Sequence, residues 1–222
     1  MNAARDLTES LTLARPDRFA EVREAAIAHT SEHQCDGGPA SLLRARETAV
    51  LVRATRASYV LELGTGLGYS SLHALDVFGR TGRLDAIESD PLHARLAEEN
   101  FSRYGYSDRV RVYTGRDADV LAGLNGPYDL VILDSNPSGY PSLFEDAVRL
   151  LRTGGLLLAN IAGGEPRPRA SSGGSPVTTA FSAPLAPGSN TRWLCACAEP
   201  RPWPYAGRAF RPVLGQNHRV AA

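Results

Sequence analysis

The chain contains no lysine: its 24 basic residues are all arginine. Lysine general bases and Schiff-base nucleophiles are therefore excluded. Cysteine is nearly absent. The three present, Cys35, Cys195 and Cys197, make an odd set with no framework spacing, which excludes a disulfide-stapled scaffold. Cys195 and Cys197 would share one face of a strand, where small buried apolar residues are a simpler reading than a metal pair. Net charge is also missing, with 24 arginines against 24 acidic residues. Nothing in that balance points to nucleic acid or to an anionic membrane. No apolar run approaches the ~20 residues that span a bilayer. Met1-Asn-Ala-Ala-Arg-Asp lacks a basic stretch leading into an apolar core, so the expectation is a cytoplasmic protein.

What is present suits a packed core: 222 residues, 43% of them hydrophobic. Residues 17–30 and 40–56 read as two helices, the first with Asp17 near its N-cap. From residue 59 the pattern alternates. Apolar strands are predicted at 59–63, 84–88, 110–114, 129–134 and 155–161, with helices at 69–78, 91–104, 116–124 and 140–151. Asp90-Pro91 supplies a cap and a first-turn proline for one of them. Repeats of about 20–30 residues carry the βαβ rhythm. The expected fold is α/β: a doubly wound, mostly parallel Rossmann-like sheet of about seven strands, with N-terminal cap helices. Residues 177–181 and 192–198 would be its closing strands. The expected division is 1–57 for the cap helices, 58–198 for the core and 199–222 for a disordered Pro/Arg-rich tail.

The densest signal is Tyr59-Val-Leu-Glu-Leu-Gly-Thr-Gly-Leu-Gly-Tyr-Ser70. It reads as a buried strand, a tight turn on Gly64, Gly66 and Gly68, and a helix opening behind them. Glycines there let backbone N–H groups approach a ligand, and the helix aims its positive end at the same point. The next apolar run ends in Glu88, placed to hold ribose hydroxyls. A nicotinamide dinucleotide site prefers G-x-G-x-x-G, but Tyr69 stands where its third glycine belongs. Glu62, two residues before the first glycine, suits a cationic ligand better than a pyrophosphate. S-adenosylmethionine, with its sulfonium and ammonium, is the better match. A nicotinamide-dependent oxidoreductase remains the alternative.

These motifs resemble the small-molecule O-methyltransferases of the catechol and caffeoyl-CoA type. Leu61–Ser70 is similar to that family's first motif, Ala86-Ile-Glu-Ser-Asp-Pro91 to its ribose-binding motif, Tyr128–Asp134 to its fourth strand and Leu150–Asn160 to its fifth. The resemblance implies S-adenosylmethionine-dependent O-methylation of a small, phenolic acceptor. It implies that Gly64, Gly66 and Ser70 hold the methionine end, Glu88 the ribose and Asp117 the adenine edge. Asp134 would lie beside both the donor's amino group and the acceptor, and Gly38–Ser41 would cover the cofactor. In the family a divalent cation such as Mg²⁺ sits between two aspartates and an asparagine. Asp134 and Asn160 match two of these positions, but Ala159 stands at the third. The family's usual basic residue falls on Pro137, which takes no proton. Among the histidines, His29, His73 and His93 lie in helical patterns, and His33 is the best replacement base; Asp134 is the other candidate. These departures keep open a catalytically silent S-adenosylmethionine-binding homologue. The N-terminal helices could pair across a two-fold axis as a homodimer.

Overall fold

The computed structural model describes residues 15–35, 37–162, 177–181 and 191–198; the side chains from Ile161 onward are not described. The expected tail at 199–222, and the Gly/Pro/Ser-rich stretch at 163–176, lie outside the described residues.

Elements run in the order α1 (Ala20–His33), α2 (Leu42–Thr55), β1 (Tyr59–Leu63), α3 (Tyr69–Val77), β2 (Arg83–Glu88), α4 (Pro91–Arg103), β3 (Val110–Thr114), α5 (Asp117–Gly123), β4 (Tyr128–Leu133), α6 (Tyr140–Arg149), β5 (Leu151–Ala162), β6 (Val177–Phe181) and β7 (Thr191–Ala198). One sheet joins the strands in the order β3-β2-β1-β4-β5-β7-β6. Its parallel part has five strands, β1 to β5. β7 and β6 continue the sheet antiparallel, so five of its seven strands form the parallel part.

Alternation along the strands divides the core into two layers. Val60, Leu84, Leu130 and Ile132 face the side covered by α1 to α4, where Phe19, Val22, Val52, Leu72, Leu75 and Phe101 pack. Leu61, Leu63, Ile87, Val131, Leu133 and Leu157 face the other side, under α5 and α6 with Leu121, Leu143 and Ala147. α1 and α2 thus share a core with the sheet.

Caps match the local sequence. Asp90 accepts from Leu92 N at 2.7 Å and His93 N at 3.2 Å at the head of α4, with Pro91 in the first turn. Ser41 accepts from Arg44 N at 3.2 Å at the head of α2. Asp17 differs from expectation. α1 begins at Ala20, and Asp17 turns inward to accept from Phe19 N at 3.0 Å and Tyr69 Oη at 2.7 Å. It ties the start of α1 to α3.

The amino-terminal ends of the central strands β1 and β4, opposite the cleft, are joined by Asp129. Its Oδ2 accepts from Ser58 N (2.7 Å), Tyr59 N (2.9 Å) and Ser58 Oγ (3.0 Å), and its Oδ1 from Arg152 Nε. Burial opposes the charged form, but the Arg152 bond and the two backbone donors outweigh it and pull the pKa down to about 2. A lowered acid stabilises the fold above its unfolded value of 3.8 and loses that contribution as pH falls through 2. Asp129→Asn is expected to cost about 1 kcal/mol at neutral pH, after discounting for partial exposure. Denaturant unfolding across a pH series should show the gap between the two proteins narrowing below about pH 4.

Candidate functional site

β1 is flanked by β2 on one side and β4 on the other. Its crossovers therefore leave in opposite directions, and a crevice opens at the strands' carboxyl ends. The glycine turn fills that position, and each of its glycines has a separate reason. Gly64, at φ 83°, lies so close to β4's exit that a Cβ would come within 2.8 Å of the Asp134 and Ser135 backbone. Gly68, at φ 87°, leaves room for the Phe101 ring, which a Cβ would meet at 2.8 Å. Gly66, at φ 54°, faces open space, with nothing within 4 Å of where a Cβ would stand. Gly66 is therefore where the turn's backbone is most open to an incoming molecule.

Three carboxylates surround this turn. Glu88 accepts from Gly66 N at 2.8 Å through Oε2 and from Asp90 N at 3.0 Å through Oε1. Oε1 also accepts a long bond from Ser89 Oγ at 3.5 Å, whereas Oε2 keeps a further lone pair for a hydroxyl donor. Glu62, buried under α3, accepts from Ser70 Oγ at 2.7 Å and from Ser71 Oγ. Burial pushes its pKa up to about 7, helped by the Asp134 charge and opposed by the two serine hydroxyls and Arg44. Asp134 caps β4. Its Oδ1 accepts from Asn160 Nδ2 at 2.7 Å and its Oδ2 from Arg44 Nη2 at 3.1 Å. Burial raises its pKa, and Arg44 and Asn160 resist that shift. Beside it, Tyr140 donates to Leu133 O at 2.8 Å, holding the segment that leaves β4.

The cleft brings together Gly64, Gly66, Ser70 and Asp134 with Gly37–Ala40, Arg44, His29 and His93. Glu62, Gly68, Glu88 and Asn160 stand behind that wall and support it. Asp117 opens α5 outside the lining, half-buried, where burial raises its pKa. His33 is exposed at the end of α1, stacked on His29 with ring centroids 4.2 Å apart. The expected base thus sits away from Asp134, because the helix carries His29 rather than His33 into the cleft. The void between the walls is about 90 Å³, below the roughly 300–1,000 Å³ of small-molecule pockets.

A divalent metal does not fit the residues expected to hold it. Such an ion wants several oxygen ligands. Here both oxygens of Asp134 are engaged, one by the Arg44 guanidinium, and Ala159 offers nothing. A dication at Asp134 would stand against a fixed positive charge. Arg44 is the functional residue that sequence reasoning missed: its partner lies 90 residues away, and helical spacing alone marks it as an ordinary surface arginine. Arg44 Nε and Asn160 Oδ1 are buried without a hydrogen-bond partner among the described residues. Unmet donors and acceptors of this kind are costly unless a ligand or water completes them.

Comparison with known proteins agrees with this geometry. The O-methyltransferase family profile matches residues 16–162. A catechol O-methyltransferase from Niastella koreensis is 36% identical over 115 residues, covering 50% of this chain and 52% of its own length. The first curated relatives matched are spanned over only 52–65% of their length. An O-methyltransferase from Streptomyces achromogenes, involved in tomaymycin synthesis and solved with SAM, superposes with a TM-score of 0.73 at 24% identity, over 89% of this chain and 96% of its own. An O-methyltransferase from Bacillus cereus, solved with SAH, gives 0.72 at 22% identity over 88% and 97%. At these identities the two structures establish the fold.

Glu62 yields a direct test. Its raised pKa means the folded chain holds a proton between 4.5 and about 7 that the unfolded chain releases. Stability therefore declines as pH rises through that window and levels off above it. Glu62→Gln removes this slope. Thermal unfolding should show the variant gaining on the parent by on the order of 2 kcal/mol between about pH 5 and pH 8.

Proposed function

Since this chain belongs to the O-methyltransferase family, we propose that it is an S-adenosylmethionine-dependent enzyme that methylates an oxygen of a small phenolic acceptor. The observation that carries the reading is the open backbone at Gly66, pinned to the Glu88 carboxylate. It forms a cradle for a nucleoside that carries no phosphate, with buried acids Glu62 and Asp134 nearby and no lysine to bind one. When bound, the donor supplies an electrophilic methyl on a sulfonium, which passes to the acceptor oxygen and leaves a thioether.

The chain's own residues do the rest. Glu88 receives a ribose hydroxyl on the free lone pair of Oε2. Glu62, ionised above about pH 7, favours a cationic donor over its neutral product. A phenol has a pKa near 10 and must shed its proton as it attacks. Asp134 is the base for that proton, its pKa already raised by burial. Arg44, whose Nε lacks a partner, stabilises the phenolate. Asn160 orients Asp134 through the 2.7 Å bond and accepts a second acceptor hydroxyl at Oδ1. The phenolic reading is supported by these two unmet polar atoms and by the name of the Niastella koreensis relative. No step in it runs through a metal.

Calorimetry with S-adenosylhomocysteine tests the donor site. Glu88→Ala is expected to weaken binding about 10- to 100-fold, the worth of a charged hydrogen-bond pair. A folded variant with the parent's affinity overturns the site. Radiolabelled methyl transfer to catechol tests the chemistry. Turnover is expected without added Mg²⁺ and unchanged by it, and Arg44→Gln should lower kcat by more than tenfold, as removal of one transition-state donor does. A folded protein that binds adenosylhomocysteine but turns over nothing across a panel of catechols would be the silent homologue.

A further inference from the structure

Three donors suited to a soft metal meet at the edge of the cleft, and methyl transfer uses none of them. His29 on α1 and His93 in the first turn of α4 present their Nε2 atoms to each other at 3.0 Å. Cys35 Sγ lies 3.4 Å from the same His93 nitrogen. The three donor atoms fall within 4.8 Å of one another, and each residue is half-buried. An imidazole pair sharing one proton accounts for two of these groups. A thiol converging on the same nitrogen is what a shared cation accounts for. Tetrahedral zinc, with bonds of about 2.0 Å to nitrogen and 2.3 Å to sulfur, sets its ligand atoms roughly 3.3–3.5 Å apart. Two of the observed separations, 3.0 and 3.4 Å, lie close to that range, and the third is within 4.8 Å.

The backbone and the neighbouring charge prepare this arrangement. α1 ends on Gln34 in the left-handed conformation, at φ 52°, uncommon for a residue other than glycine. That bend returns the chain so that Cys35 N donates to Thr30 O at 3.3 Å and the thiol faces α4. Opposite, the Asp90 cap fixes the turn that carries His93. His93 Nδ1 lies 3.9 Å from Glu88 Oε1. A carboxylate behind a histidine is the second layer that orients metal-binding imidazoles. Nitrogen and sulfur donors select zinc-like cations over magnesium.

We propose that His29, Cys35 and His93 bind a thiophilic divalent cation such as Zn²⁺, with water as fourth ligand, tying the end of α1 to the start of α4 across the mouth of the cleft. Cys35 loses its proton on binding, so each ion taken up releases one. Both histidines line the cleft, so the tie holds α1 against α4 and keeps the void too small for a nucleoside. This last consequence rests on the donor-site reading above. By linkage, the metal and the nucleoside then weaken each other by one common factor.

Cobalt(II) titration of the full chain, without nucleoside, tests the site. One equivalent is expected to give a thiolate-to-cobalt charge-transfer band and the strong visible bands of a four-coordinate ion, both abolished by added zinc. Cys35→Ser should remove the charge-transfer band, and His93→Gln should weaken binding more than tenfold. Zinc should raise the Tm of the parent and of neither variant. Absence of the charge-transfer band, or equal affinity in all three proteins, overturns the site. Calorimetry with S-adenosylhomocysteine, with and without zinc, then tests the tie: affinity should fall by a factor in the range of about 5–150 when zinc is bound. Unchanged affinity with zinc in place overturns the tie. Failure of the metal-free chain to bind adenosylhomocysteine overturns the donor-site reading instead, and the cobalt result stands apart from it.

Discussion

The close passage of Gly64 against the backbone of Asp134 and Ser135 is the constraint on which the site depends. A Cβ at Gly64 would stand 2.8 Å from those atoms. Because none is there, the exits of β1 and β4 lie side by side, and Asp134 N donates to Leu63 O at 2.9 Å. Everything functional is arranged around that contact. Glu62 ends under the helix that the turn begins. Asp134 reaches the cleft floor. The turn itself is anchored to β2 by Gly64 N and Thr65 N, both donating to Ile87 O, and by Gly66 N to Glu88. A side chain at residue 64 would push the two strand ends apart and move all three carboxylates together.

The electrostatics of the cleft follow from its dryness. Two acids, Glu62 and Asp134, are buried here; burial raises the cost of ionising each, and the Asp134 charge adds to that of Glu62. Arg44 is the compensating charge. It comes from α2, an element that belongs to the N-terminal segment, and meets Asp134, the first residue after β4. The N-terminal helices are therefore electrostatic partners of the sheet as well as its covering. Arg44 also fixes a positive charge 3.1 Å from the Asp134 carboxylate. Ala159 beside it adds no charge and no ligand atom.

Much of this fold was legible because the evidence for it is local. Strands at 59–63 and 110–114 lie where apolar runs placed them, and the remaining parallel strands differ at their ends by a few residues. The largest difference is β5, which begins at Leu151 rather than 155. There the sheet pairs Tyr128 with Leu151 across an irregularity that Gly154 and Gly155 accommodate, and no apolar alternation marks it. Helix starts were readable where a cap announced them, as at Asp90-Pro91. At Asp17 the cap signal misled, because a carboxylate that also finds Tyr69 does more for the fold facing inward. The glycine turn and Glu88 were readable together because their spacing is set by one βαβ unit.

The sequence alone determined the alternation of strand and helix, the glycine turn, the absence of any lysine chemistry and an alanine, with no ligand atom, at residue 159. Each is written in neighbouring residues or in composition, where period and residue type suffice. Only the tertiary structure decided that Asp134 is held by Arg44 and Asn160, that His29 and not His33 enters the cleft, and that Cys35 meets His93. These contacts join residues 26 to 90 positions apart. Their geometry depends on how helices settle on the sheet and how one left-handed residue turns the chain, and no local pattern encodes either.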